Sequence, residues 1–363
     1  MTYKRTGLMV VIIATLLLVV FASCAPASTQ VKELKMATGT PQTSSVSPNI
    51  AKMAELMETY SDGAVKVKVY WAGEIAEVKD LSNLATSGAI DMMVVPPVHF
   101  ASFYPLSSQL TMYSILLPDV EMAAYIWRGL LNDIPELQEE FEKQNQYLLN
   151  RIAIGPYLTL SKEPIRSKAD FSGKKVRGMP GKYFSQMMEK AGATNISTIS
   201  VPEIYEALMR GAVDVVMLIP QDFIDLKYYE IAEYVSLSTG CIAALSCSMN
   251  LDTWNSLSSK SQKAIIQAAT EWGAIDLNTQ LTTYDVSIDA LKEKGVQFVD
   301  FNQDDWNAML ADAGDPWASI KNDLVNDFKV DAAVADKFVN RWHELYDEYN
   351  TKYKASGKNW EYE

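Results

Sequence analysis

The chain has 363 residues, 48% of them hydrophobic, with 32 basic against 45 acidic side chains and a formal charge of −13. That acidity argues against nucleic acid and against anionic lipid headgroups as partners, because both need clustered Lys and Arg. With two histidines and no nucleophile elbow, zinc-binding helix or glycine-rich dinucleotide loop, the residues point to recognition rather than catalysis.

The chain opens on Lys4 and Arg5, then an apolar run from Leu8 to Phe21, then Ala22, Ser23 and Cys24. As a helix that run rises about 21 Å, short of the roughly 30 Å of a hydrocarbon core. A basic start, a short apolar core and small residues before a boundary describe a secretory signal peptide over 1–23. Phe21-Ala22-Ser23-Cys24 resembles a bacterial lipobox, with Phe21 where leucine is usual, so Cys24 is expected to be lipidated. The alternative is ordinary cleavage nearby with an incidental cysteine. A diacylated Cys24 would hold the protein on a membrane face, with residues 24–33 as a tether. Losing Lys4 and Arg5 takes the charge from −13 to −15. About 340 residues then remain, more than one core usually serves, which suggests two lobes.

Leu34–Thr38 reads as a buried strand, followed by a polar turn from Gly39 to Pro48. Ile50, Met53, Ala54, Met57 and Tyr60 then recur at helical spacing, with Gly63 just past the end. Val65, Val67, Val69 and Trp71 alternate with Lys66, Lys68 and Tyr70 at the strand period. A helix near Glu77–Thr86 and a strand over Ile90–Val95 complete a βαβαβ run, hence a parallel sheet with helices on its faces. Ile152–Leu160 looks like a strand carrying the chain from one sheet to another. The pattern restarts with a strand at Lys174–Gly178, helices at Lys182–Lys190 and Pro202–Arg210, and a strand at Val213–Ile219.

From Leu257 to Lys294 there is no proline and one glycine, Gly273. A helix of roughly 37 residues would run about 55 Å and lie across both lobes. A strand at Val296–Val299 and helices near Asp304–Ala313 and Val334–Tyr349 follow, with Trp306, Trp317, Trp342 and Tyr346 packing them down. Asp300-Phe301-Asn302-Gln303-Asp304 starts like a calcium loop, but Asp305 replaces the turning glycine and Ala311 the closing glutamate, so it reads as a capping loop and no metal site. Cys241 and Cys247 would sit about 20 Å apart along a strand and are expected as two separate thiols.

In parallel sheets ligands bind beyond the carboxyl ends of the strands. The turn after the first strand offers Thr38, Thr40, Gln42 and Thr43 ahead of a helix N-terminus, unless these residues serve only as a cap. Arg177 closes its strand just before Gly178 and Pro180 turn the chain. There its planar donor fork would match a carboxylate, or alternatively make a surface ion pair. Neighbouring strand and helix ends add Trp71, Glu77, Pro96, Val201, Leu218 and Gln221 as candidate lining residues.

Pro164-Ile165 and Ala169 through Arg177, with its Gly173-Lys174-Lys175-Val176-Arg177 ending, resemble the TRAP-transporter substrate-binding proteins of the DctP family. So do Glu203–Asp214, Val69–Ile75, Ser87-Gly88-Ala89-Ile90-Asp91 and Leu116-Leu117-Pro118, all in family order. The resemblance implies an α/β, two-lobed periplasmic-binding-protein-like fold with a ligand cleft between lobes and a long helix spanning both. The lobes would be 34–155 with 240–283, and 156–239 with 284–350, leaving 351–363 as a tail. It also implies an extracytoplasmic receptor that clamps a small organic acid through Arg177 and delivers it to an ion-gradient-driven permease. Such a protein is a monomer without cofactor and no enzyme.

Where many members carry a second arginine, Tyr157 stands here, and the strand from Val215 to Ile219 is wholly apolar. A phenol supplies one hydrogen bond or a stacking face. Those departures favour an apolar or aromatic monocarboxylate. Competing readings are a secreted α/β enzyme acting on a small carboxylate, and a receptor for a different transporter or sensor.

Overall fold

The computed structural model describes residues 31–117 and 119–355, with 238–240 as backbone only. The expected signal peptide, Cys24, most of the tether, Pro118 and residues 356–363 lie outside the described residues. From residue 33 onward the chain forms one compact unit.

The strands are β1 (Lys32–Thr38), β2 (Val65–Tyr70), β3 (Met92–Val95), β4 (Gln146–Ser161), β5 (Lys175–Arg177), β6 (Thr194–Asn195), β7 (Val215–Leu218), β8 (Tyr234–Asn250) and β9 (Gln297–Val299). The first helices are α1 (Ser47–Tyr60), α2 (Val78–Ser87), α3 (Pro105–Met112), α4 (Val120–Asp133), α5 (Glu136–Glu142), α6 (Lys182–Lys190) and α7 (Ile204–Met209). They are followed by α8 (Pro220–Asp225), α9 (Leu251–Ser256), α10 (Ser259–Glu293), α11 (Gln303–Ala313), α12 (Pro316–Asn322) and α13 (Ala332–Tyr349).

Most of these follow the local patterns. In α1, Pro48 sits in the first turn and Ile50, Met53, Leu56 and Met57 share the buried face. Gly88 ends α2 in the left-handed region, φ 74°, which an L-residue adopts only at a cost. β1 begins at Lys32, inside the expected tether and ahead of the expected Leu34. The acidic loop at 300–305 is a cap, with Asn302 Oδ1 accepting from the Asp305 N–H at 3.0 Å. Cys241 and Cys247 are separate, buried and free.

The sheets depart from expectation. Two were expected, joined by one strand; the structure has a single nine-stranded sheet, ordered β2-β1-β3-β8-β4-β7-β5-β6 with β9 also on β8. The reason is the length of β4 and β8, 16 and 17 residues, which run antiparallel along one another. Near one end β3 pairs with Met249–Ser246 of β8, and near the other β7 pairs with Leu158–Ser161 of β4. Each half of the sheet therefore hangs on opposite ends of the same two strands. Between the halves the ladder slips register at Ile154/Tyr157 and again at Tyr157/Thr159, next to a cis Gly155–Pro156 bond.

The core divides in the same way. Ile50, Met53, Met92, Leu245 and Trp272 belong to one cluster, Leu160, Ile204, Leu208, Val216 and Leu291 to another. A third joins helices α3, α4, α6 and α13 through residues such as Leu110, Trp127, Phe184 and Trp342. The helix α10 is 35 residues long, about 52 Å, and contributes Ile265, Trp272, Leu277 and Leu291 to all three clusters. It ties the halves together, as its length in sequence suggested. No helix among the described residues is long and apolar enough to cross a membrane.

Candidate ligand-binding site

Arg177 is the last residue of β5, a strand held parallel to β7 through Val176–Val215 and Arg177–Val216. The chain turns at once, and Gly178 is required there because a Cβ would collide with the Phe184 ring. Arg177 is half-buried, and its Nε donates to the Ile199 carbonyl at 3.1 Å. Its two terminal nitrogens make no hydrogen bond or ion pair among the described residues, yet neither is sealed from solvent. Burial holds its pKa below the usual arginine value, while Tyr157, Tyr228 and Asp222 pull the other way. Of its five donors, one is engaged among the described residues.

Three other strands supply the surroundings. From β4, Tyr157 is half-buried at the register slip and packs against all three core clusters named above. Its phenol pKa is raised, chiefly by burial. From the end of β3, Pro96 leads into a short 3-10 turn that presents His99. His99 is exposed to solvent; desolvation first, and Arg177 second, pull its pKa to about 4. It is therefore neutral near pH 7.

From the end of β7, Leu218 is buried and the following turn begins α8 at Pro220. The first turn of α8 carries Asp222, 8% exposed, whose Oδ1 accepts from Ser44 Oγ at 3.1 Å. Burial raises its pKa to about 7, with Asp225 adding to the rise and Ser44 and Arg177 opposing it. Tyr228 donates to the Val201 carbonyl at 2.8 Å, so the loop over 199–201 braces both Arg177 and Tyr228. Arg177, Tyr157, Tyr228, His99 and Asp222 thus form one electrostatic group.

The other expected residues make ties of their own. Thr38 is buried at the end of β1 and accepts from the Thr40 N–H at 3.1 Å, a local turn bond. Gln42 and Thr43 are exposed, and no hydrogen bond or ion pair among the described residues links them to Arg177. Trp71 packs on the core cluster of α1 and Glu77 is the exposed residue before α2. Their loop is tied to the turn by the Ala72 N–H on the Thr40 carbonyl, 3.2 Å. Gln221 lies behind the group, donating to Asp225 at 2.7 Å and accepting from Ser287 Oγ of α10 at 2.6 Å.

Sequence reading missed Asp222, His99 and Tyr228. The signal for Asp222 was available: an acid three residues past an apolar strand, in the first turn of a helix opened by proline. A cavity of about 300 Å³ lies elsewhere, lined by Tyr113, Lys182, Tyr183, Asp315 and Asp323, and contains none of the expected residues. Among the described residues no group of three or more His, Cys, Asp or Glu is arranged to hold a metal ion.

A family model described as bacterial extracellular solute-binding protein, family 7, matches residues 36–323. A solute-binding protein of Sulfitobacter sp. (strain NAS-14.1) is 27% identical over 229 residues, 62% of this chain and 68% of that one. A TRAP periplasmic solute-binding protein from Desulfovibrio salexigens, solved with bound orotic acid, superimposes with a TM-score of 0.76. It is 20% identical, with 87% of this chain and 99% of that one covered. A Bordetella pertussis extracytoplasmic solute receptor binding pyroglutamic acid gives 0.73 at 17% identity, covering 86% and 100%. At those identities the likeness is one of fold: two lobes about a shared cleft.

Proposed function

The chain belongs to the bacterial extracellular solute-binding proteins of family 7, and on that premise we propose that it captures one small organic acid by closing Arg177 on the carboxylate. Membership makes it a solute receptor of a TRAP transporter, working outside the cytoplasm, and not an enzyme. The observation that carries the clamp is the state of Arg177: a half-buried guanidinium, with both terminal nitrogens unspent among the described residues and reachable. A bidentate carboxylate would satisfy both, contributing about 1.5–3 kcal/mol net. Solved relatives hold orotic and pyroglutamic acids, both carboxylic acids, which supports this reading.

The cleft would close between 34–155 with 240–283 on one side and 156–239 with 284–350 on the other. Tyr157, Leu218, Pro96 and Val201 would wall the ligand; Thr38, Thr40, Gln42, Thr43, Trp71, Glu77 and Gln221 would line its approaches. We also propose that Cys24 is lipidated and that the receptor works as a monomer.

Thermal-shift screening of the mature chain against organic acids, followed by calorimetry, tests the clamp. Arg177→Ala should weaken binding at least tenfold without unfolding the protein. Arg177→Lys should fail too, since a point charge cannot replace a fork. Unchanged affinity in Arg177→Ala removes the clamp. Cys24→Ser should release the mature protein from the membrane fraction; release of the unsubstituted protein without detergent refutes the anchor.

A further inference from the structure

We propose that Asp222 is the second pole of the binding site, so that the captured acid carries, besides its carboxylate, a nitrogen-borne hydrogen-bond donor, either an N–H or an ammonium. The inference rests on the receptor reading and on Arg177 as the carboxylate's partner.

Asp222 is almost wholly buried, and buried carboxylates are ordinarily paired or fully hydrogen-bonded. This one is neither. Its Oδ1 accepts from Ser44 Oγ, but Oδ2 accepts from nothing among the described residues and still retains access to solvent. Arg177 is near enough to be felt, yet the two make no ion pair among the described residues. A cation with free donors and a carboxyl group with a free acceptor therefore stand near one another without pairing among the described residues. The groups between and beside them add no second positive charge. Tyr157 and Tyr228 are phenols held protonated, Asp225 is another acid on the same helix, and His99 is neutral.

The chemistry of the occupant follows by complementarity. Its carboxylate belongs on Arg177. Its other end meets an acceptor with negative charge, so a donor is favoured and a second carboxylate is repelled. An apolar monocarboxylate would leave Oδ2 desolvated and unsatisfied, which weakens its binding. The wall read as greasy from Val215 to Ile219 thus ends in a polar reader.

The test is calorimetric titration of the purified receptor with carboxylic acids in three classes: those bearing an N–H or ammonium, those bearing none, and dicarboxylates. Pyroglutamate and its lactone analogue, 5-oxotetrahydrofuran-2-carboxylate, differ only by N–H against ring oxygen; glutarate supplies the second carboxylate. The tightest acids should be those with a nitrogen donor. Asp222→Asn should weaken them at least tenfold, leave acids without a donor within threefold, and strengthen dicarboxylates.

If that variant does not fold, the unsubstituted protein decides. At pH 7, binding an N–H acid should release up to about half a proton, because the donor favours ionised Asp222, whereas a dicarboxylate should cause uptake of up to about half a proton. Titration in buffers of different ionisation enthalpy reads the sign. Tightest binding by an acid without a donor, or no proton release with an N–H acid, overturns the role of Asp222 while leaving the carboxylate receptor standing. Failure of every carboxylic acid, or unchanged affinity in Arg177→Ala, overturns the receptor reading itself and this inference with it.

Discussion

Two arginines on the same sheet behave in opposite ways. Arg151, on β4, is 3% exposed and is built into the core. Its Nε donates to Ser246 Oγ at 3.0 Å and its Nη2 to Ser107 Oγ, while Glu140 nearby accepts from the Leu106 and Ser107 N–H groups, both at 2.9 Å. Glu140 is thus set at the N-terminus of α3, where backbone donors and helix dipole favour a carboxylate. Among the described residues Arg177 has one bond to a carbonyl and nothing for its terminal nitrogens. The first arginine holds the segment from α3 to α5 against the sheet, and its one unpartnered nitrogen, Nη1, is sealed from solvent. The second keeps spare nitrogens that solvent can still reach. The difference teaches that a binding arginine is known by unspent donors left accessible, not by spare donors alone.

Removing each arginine should break different things. Arg151→Met is expected to have the largest effect, about 1–3 kcal/mol of stability, because it leaves the buried Ser107 and Ser246 hydroxyls without their donor and removes a positive charge from beside buried Glu140. Chemical denaturation reads this, and a loss below about 1 kcal/mol would mean that the α3 N-terminus alone satisfies Glu140. Arg177→Ala should cost affinity and almost no stability. A drop in melting temperature as large as that of Arg151→Met would make Arg177 a structural residue and erase the contrast.

A subtler test uses pH. Burial raises the pKa of Glu140 to about 7, and that of Asp276, on α10 with Asn49 Nδ2 on its Oδ1 at 3.0 Å, to about 7 as well. An unfolded carboxylate titrates near 4. Between those values the native state holds protons that the unfolded chain has released, so stability falls as pH rises from about 4 to 7. Each group adds a slope of at most about 1.4 kcal/mol per pH unit. Asp276→Asn should flatten this dependence in denaturation curves at pH 5, 6 and 7; a curve that is already flat, or rises, in the unsubstituted protein would contradict it. The smallest effect is expected of Tyr157→Phe, which keeps the ring on its three clusters and removes one hydroxyl. Affinity should fall by about threefold, on the order of 0.6 kcal/mol, and a loss beyond tenfold would give the phenol a greater share of recognition than its place suggests.

Much of this was legible in the chain. Arg177 could be placed because a strand with clear punctuation ends on it, and α10 because a long stretch without proline permits little else. β8 could not, because it is buried along most of its length and its serines, alanines and cysteines carry no alternation. Helix α3 was hidden for a related reason: Ser107, Ser108, Gln109 and Thr111 are all buried, so it has no polar face to announce it. Missing β8 is what turned one sheet into two. Asp222 was overlooked because an acid in a first helical turn is ordinarily a dipole partner, and only the tertiary placement beside Ser44 reveals its spare oxygen.

The shared pair of strands has one more consequence. Among the described residues no slack linker joins the halves; whatever swings must flex a hydrogen-bonded ribbon at the slipped rungs on either side of Tyr157, with the α10 rod strapped alongside. Such a ribbon behaves as a leaf spring rather than a door hinge. Its stiffness would set a resting angle, and amide protons at 154–159 would report the strain, exchanging quickly when the gap is vacant and slowly once it is filled.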